Sequence, residues 1–264
     1  MGPFFCGPIF QVYGILSVIW TKTTNDAHFE VRRAGCSVRL YRNGVFHSQY
    51  NSRRPIAANL WNLLLIPAYF RPVGTIRRAL VLGVGGGAVI RLLQHCIRPE
   101  EIVGVELDPM HVFIARRFFG VAPSRANLVQ ADAVDWLRCY KGPKFDLIID
   151  DLYGEAEGEP MRAVEPDKDW LSILSRNLSN DGVLVMNFIS SQALRDSSHL
   201  IRQLNPTRLN NAFRLSLPAY ENVVGAFVSQ ALDKKPLRQL LRASDSPCGV
   251  SLGKLPYRIR RISQ

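Results

Sequence analysis

The sequence predicts an α/β fold: a doubly wound, mainly parallel sheet of seven strands, preceded by a small N-terminal β-hairpin module. Three observations carry this. Apolar strand-like runs alternate with amphipathic helical patterns from residue 79 to residue 204, which is how parallel strands joined by crossover helices read. The first run, 79–84, passes straight into a cluster of glycines, Gly83, Gly85, Gly86 and Gly87, and then into a helical pattern with Val89, Leu92, Leu93 and Cys96 on one face. Successive strands end on carboxylates, at Glu106, Asp132 and the pair Asp150-Asp151.

In chain order, residues 4–20 form an apolar stretch that lacks the basic start and small-residue cleavage site of a signal peptide, and Pro8, Gln11 and Gly14 break it as a membrane span. A loosely ordered leader over 1–27 is the expectation. The segment 28–54 alternates with period two at Phe29/Val31 and Val38/Leu40, and Asn43-Gly44 is a tight-turn signal between two strands, hence the hairpin module. Residues 55–70 read as an amphipathic helix opening on Pro55, with Trp61 and its leucines in the core. The main domain, 55–232, then carries strands at 79–84, 102–105, 127–131, 145–150, 183–189, 212–217 and 222–228. Helical patterns fall between them at 109–119, 133–140, 170–178 and 193–204, and a loop rich in glycine, glutamate and proline at 152–167. The last two strands have no helix between them and are expected to form an antiparallel edge. Residues 233–264 are polar and basic, with a peripheral helix and a mobile tail expected.

Composition narrows the function classes. At 264 residues the chain suits one α/β domain with a small appendage. Its formal charge of +11 favours acidic partners, nucleic acid among them, although no dense basic run with interleaved aromatics accompanies it. The five cysteines, Cys6, Cys36, Cys96, Cys139 and Cys248, are scattered, with no C-x-x-C and no clustered histidine. That argues against a metal site and a disulfide framework, and for reduced thiols in a cytoplasmic protein.

The glycine turn and the acids share one chemistry. Glycines let a backbone turn tightly and approach a ligand, and an acid about 20 residues further on can take both hydroxyls of a ribose. The dinucleotide fingerprint G-x-G-x-x-G fails here, since Gly83 begins G-V-G-G-G-A. A G-x-G-G-G turn suits S-adenosylmethionine-type nucleosides, which carry no pyrophosphate to anchor. The competing structural explanation is that the glycines only allow close helix–sheet packing. A carboxylate at the third strand end, Asp132, can accept from an adenine amine, and one at the fourth can hold a cationic amine or accept its proton.

The pieces VLGVGGG, VGVELDPMHVFIARRFF, VQADAVDWL and FDLIIDD resemble the spermidine synthase family of aminopropyltransferases and their methyltransferase-like relatives, and LYRNGVFHSQY is similar to that family's N-terminal β-module. The resemblance implies a Rossmann-like sheet of the class I methyltransferase type. It implies cofactor contacts from Gly83, Gly85, Gly86, Gly87, Glu106, Asp132 and Asp150, and Asp151 as the catalytic aspartate. The chain departs from the pattern at two places. Gly154 stands where the family has a second aspartate, and Arg53-Arg54 lie where it has polyamine-holding acids. A polyamine carries several positive charges and needs carboxylates, so these departures put methyl transfer from S-adenosylmethionine first. Aminopropyl transfer from decarboxylated S-adenosylmethionine to a polyamine such as putrescine stands as the alternative. A non-catalytic nucleoside-binding module that contacts RNA or an acidic protein is a third reading. The two enzyme readings differ in one group, the methionine carboxylate, for which Arg77, Arg78 and Arg91 are the candidate partners. The acceptor, small molecule or macromolecule, is not identified; a homodimer and nucleic acid are kept as partners, and no metal or membrane is expected.

Overall fold

The computed structural model describes residues 16–156, 159–229, 239, 241 and 248–262. Its centre is an eight-stranded sheet in the order β14-β12-β13-β11-β8-β5-β6-β7. The strands are β5 (Arg78–Leu82), β6 (Glu101–Glu106), β7 (Asn127–Gln130), β8 (Phe145–Asp150), β11 (Leu178–Phe188), β12 (Asn211–Ser216), β13 (Val223–Val228) and β14 (Arg258–Arg261). From β7 to β11 every pairing is parallel, and β13 runs antiparallel to both its neighbours. Apart from the edge strand β7, these parallel strands are largely buried on both faces, which is why they read as continuous Val/Ile/Leu runs.

The crossover helices are α2 (Ala88–Leu92), which continues as a π-helical turn to Ile97, α3 (Pro109–Arg117), α4 (Ala133–Cys139), α5 (Lys168–Asn177) and α6 (Ser191–Leu204). Their starts follow from local chemistry. Asp108, Asp132, Asp167 and Ser190 each accept from backbone N–H groups of the first turn, which those groups otherwise lack. Ahead of the sheet, α1 (Leu60–Leu65) is capped by Asn59 and gives way to a 3-10 turn over Ile66–Phe70, where Pro67 removes a donor. The single helix expected over 55–70 is therefore shorter and starts later.

The N-terminal module is larger than a hairpin. It is a four-stranded antiparallel sheet of β1 (Ser17–Thr23), β2 (His28–Ala34), β3 (Ser37–Arg42) and β4 (Val45–Asn51). Asn43 and Gly44 both take positive φ, 48° and 81°, in the tight turn that the sequence signals. The added strand β1 comes from the stretch expected to be part of a leader; residues 1–15 of that stretch lie outside the described residues. The module packs onto the main sheet as one core, with Phe29, Val31 and Leu40 in the same buried cluster as Ala79, Val81 and Ile90.

Two further departures concern the C-terminal extension. Arg258–Arg261 pairs with β12 through Leu215 opposite Ile259, so the sheet has eight strands rather than seven and β14 forms its edge. Just before it, α7 (Gly249–Gly253) is preceded by Cys248, which forms a disulfide with Cys96, Cα–Cα 5.4 Å. This corrects the expectation of reduced thiols for that pair: residues 152 positions apart in sequence leave no spacing signal. Closing so long a loop should stabilise the fold by about 2–5 kcal/mol. Urea unfolding of Cys248→Ser should show that loss. An unchanged midpoint, with all five cysteines of the unreduced wild type titrating as thiols after denaturation, would remove the bridge. Among the described residues no helix is long and apolar enough to cross a membrane.

Candidate active site

Sheet order decides what meets at the carboxyl edge. The chain enters the middle of the sheet at β5, runs outward through β6 and β7, then returns to lay β8 and β11 on the other side of β5. The strand tips thus bring Asp132, Glu106, Gly83, Asp151 and Asn187 into one row across the edge. Backbone bonds continue the ladder to these tips, from Gly83 N to Val105 O (3.0 Å), Ala131 N to Glu106 O (3.0 Å) and Asp151 N to Leu82 O (2.9 Å). A crevice outside strand ends where the order reverses is the usual ligand position in such sheets.

The glycine turn is shaped by close approach. Gly83 has φ +81°, and a Cβ there would drive into the carbonyl of Asp151. Gly85 and Gly86 lie against the N-terminal module: a Cβ on Gly86 would come within 2.8 Å of the Ser48 Cβ and 2.6 Å of the Phe119 ring. Gly87 opens α2.

Glu106 is buried and organises the turn. Its Oε2 accepts from Val84 N and Gly85 N, both at 2.9 Å, and its Oε1 from Asp108 N at 3.0 Å. Burial opposes its charge. The His111 ring, 3.6 Å away, and the backbone donors outweigh that and hold the carboxyl at about 2. Next to it Leu107 is 67% exposed, an apolar side chain free to lie on a planar base. Asp132 caps α4 with Oδ1 alone, at 2.8 and 3.0 Å from Val134 N and Asp135 N, and is exposed. Its second oxygen is available to an amine donor. An adenosine-containing group fits this edge through the exposed Leu107 side chain and the exposed Asp132 acceptor, whereas both Glu106 oxygens are engaged within the protein, so Glu106 shapes the glycine turn from inside and is not free to take ribose hydroxyls.

The adjacent aspartates diverge, as alternation along a strand requires. Asp150 is fully buried, and its Oδ2 accepts from Arg162 Nη2 at 2.5 Å and Trp170 Nε1 at 2.9 Å. Its Oδ1 accepts from Leu152 N at 3.3 Å. Both oxygens are engaged inside the protein, so the structure gives Asp150 no face toward a cofactor, contrary to its sequence assignment. Asp151 turns the other way, and its Oδ1 accepts from Asn187 Nδ2 at 2.8 Å. Among the described residues no other donor reaches this carboxylate. Burial raises Asp151 to about 6, against the Asn187 hydrogen bond; Asp150 adds to the rise and Arg162 opposes it.

The loop expected at 152–167 contains a hairpin, β9 (Tyr153–Ala156) and β10 (Glu159–Arg162), whose Tyr153 hydroxyl reaches the Asn187 carbonyl at 3.4 Å. Glu155 reaches from it to the N-terminal module, pairing with Arg42 at 3.0 Å and accepting from Asn43 Nδ2. His47 Nε2 lies 3.9 Å from Glu155; burial and then the His111 ring push His47 down to about 4, so it is neutral at neutral pH. Sequence reasoning missed Arg162, Asn187, His47 and His111. Only Asn187 carried a local signal, a polar residue inside the apolar run VLVMNFI.

A family model described as the spermine/spermidine synthase domain matches residues 66–233. The chain belongs to the spermine/spermidine synthase family. Among curated relatives of this family member, polyamine aminopropyltransferase 2 of Caldanaerobacter subterraneus is 29% identical over 108 residues, 40% of this chain and 36% of the relative. The polyamine aminopropyltransferase of Chromobacterium violaceum is 25% identical over 194 residues, 71% of this chain and 72% of the relative. The match thus spans little more than a third of the first relative's length. Among solved structures, spermidine synthase from Thermotoga maritima superposes with a TM-score of 0.61 at 17% identity, covering 90% of this chain and 84% of that one. At that identity the likeness speaks for the fold. This family member keeps the doubly wound sheet and N-terminal antiparallel module, as the resemblance implied.

Proposed function

We propose that this chain transfers an aminopropyl group from decarboxylated S-adenosylmethionine to an amine acceptor, with Asp151 as general base. The observation that carries it is the Asp151 carboxylate at the fourth strand tip, which has Asn187 as its one hydrogen-bond donor among the described residues and is raised to about 6, next to the glycine turn. A base poised just below neutral pH is ionised in the working enzyme and still able to take a proton. Membership of the spermine/spermidine synthase family and relatives named as polyamine aminopropyltransferases support the same chemistry. This reverses the order drawn from the sequence, which put methyl transfer first.

The arginines weighed as partners of a methionine carboxylate point the same way. Arg77 pairs with Glu100 at 2.7 Å, and Arg78 with Glu101 at 3.0 Å. They stand just before and at the start of β5, roughly 16 to 20 Å from Gly83 along an extended strand. Arg91 donates to Gly120 O at 2.9 Å and lies over the Tyr50 ring. None is left to hold a carboxylate at the glycine turn, which suits the decarboxylated donor.

When bound, the donor supplies a sulfonium leaving group that makes the adjoining propyl carbon electrophilic. The turn from Gly83 to Gly87, kept in shape by Glu106, would hold its nucleoside, and Asp132 its adenine amine. Asp151 would accept a hydrogen bond from the acceptor amine, orient its lone pair, and take the proton as the new N–C bond forms and the S–C bond breaks. Tyr153 keeps its proton, since burial and then the Asp151 charge raise its hydroxyl above the ordinary value. The hairpin that carries Tyr153 would exclude water.

Calorimetric titration with the donor and with S-adenosylmethionine, then turnover with putrescine, tests the proposal. Tighter binding of the decarboxylated form and putrescine-dependent release of the methylthio-nucleoside are expected. Tighter binding of S-adenosylmethionine without such release would overturn it.

A further inference from the structure

We infer that Asn187 is a positioning residue that fixes the orientation and protonation of Asp151, and that Asn222 and Tyr153 lock its amide in the orientation this needs. The inference deepens the function proposed above and takes Asp151 as its base.

A carboxylate only accepts, so the Asn187 atom facing Asp151 must be Nδ2, as its 2.8 Å bond to Oδ1 has it. Its Oδ1 then faces away and needs a donor. Asn222 Nδ2 supplies one at 3.2 Å and also lies 3.3 Å from the Tyr153 hydroxyl. Tyr153 in turn donates to the backbone carbonyl of Asn187 at 3.4 Å, where Arg162 Nη1 donates at 2.6 Å. Asn187 is thus held through its amide and its carbonyl, and it is nearly inaccessible, at 2% exposure. A flipped amide would set two oxygens against each other at Asp151 and two NH₂ groups at Asn222.

The consequence for charge follows from the donor. An N–H aimed at a carboxylate favours its ionised form. Four other groups face Asp151. Asp150, next to it in the chain, and Glu106, two strands away on β6, push its proton affinity up, Arg162 on the hairpin pulls it down, and Tyr153 is neutral. Asn187 is the partner that hydrogen-bonds Asp151 directly, and without it burial acts with less opposition.

The test reads the carboxyl itself, so it does not depend on turnover. In protein labelled with 13C-aspartate, with the resonance assigned through Asp151→Asn, Asn187→Ala should raise the Asp151 midpoint by about one pH unit. Asn222→Ala, at a half-buried position, should raise it less and in the same direction, and serves if Asn187→Ala fails to fold. With decarboxylated S-adenosylmethionine and putrescine, the acid limb of the rate profile should move in parallel. That is about a threefold loss at about pH 6.5, vanishing at about pH 9. A carboxyl midpoint unmoved in whichever of the two variants folds overturns the inference. Absence of putrescine turnover in the wild type, with the midpoint shifted as expected, overturns the proposed function and leaves the lock in place.

Discussion

Asp151→Asn should lower aminopropyl transfer by about 100- to 10,000-fold, the range a general base contributes, while the protein stays folded. The substitution keeps the shape of the side chain and an oxygen for the Asn187 Nδ2 donor, 2.8 Å away. It removes the negative charge and with it the capacity to take a proton. Its stability signature has a definite sign. The folded protein holds the Asp151 proton with a pKa raised from 3.8 to about 6, so between those values the native state binds more protons than the unfolded chain. Stability therefore falls as pH rises through that window, and the ionised, buried carboxylate weakens the fold above it. Asp151→Asn should abolish this slope and be at least as stable as the wild type at pH above about 6. Wild-type turnover should lose activity on the acid side with a midpoint near 6. Rates across pH, with thermal melts on both sides of that midpoint, check both halves. Retained turnover in Asp151→Asn beside lost turnover in a folded Asp150→Asn would move the base to the other aspartate.

How much of this site was legible depended on whether a residue's role was local. Gly83, Glu106, Asp132 and Asp151 obey one rule, that ligands gather at the carboxyl ends of parallel strands, and the strands themselves were plain from their apolar runs. Sheet order placed all four in one row. The helix caps and the Asn43-Gly44 turn are local in the same sense. What escaped were pairings between distant segments. The basic run Arg258–Arg261 reads as a tail until Ile259 meets Leu215. The segment Tyr153–Arg162 has the composition of a loop, yet folds into a hairpin once Arg162 reaches Asp150 and Glu155 reaches Arg42. Alternation correctly sends Asp150 and Asp151 to opposite sides, and grouping Asp150 with the cofactor ligands neglected that consequence. Gly154, Arg53 and Arg54 stand where the family has acids and on sequence alone favour methyl transfer; the family match and the remote positions of Arg77 and Arg78 weigh the other way.

Arg162→Met should cost about 3–5 kcal/mol of stability, the usual penalty for leaving one member of a buried ion pair alone. Arg162 and Asp150 meet at 2.5 Å with side chains 4% and 0% exposed. Without the guanidinium, Asp150 keeps only Trp170 Nε1 and Leu152 N as donors, too little to offset a charge out of water. The Asn187 carbonyl also loses its 2.6 Å donor, and the Phe188 ring loses the guanidinium that lies over it. Urea unfolding should show a lower midpoint with an unchanged slope. The companion Asp150→Leu with Arg162→Met should recover most of the loss or exceed the wild type, because an apolar pair of similar volume often replaces a buried ion pair at no cost. Arg162→Met alone also withdraws a positive charge that holds Asp151 down, so the acid limb of its rate profile should move up. The double variant removes Asp150, which pushes Asp151 the other way, and should bring that limb back toward its wild-type position. A single variant within about 1 kcal/mol of the wild type, with its acid limb unmoved, would show that the pair neither holds the hairpin nor tunes the base.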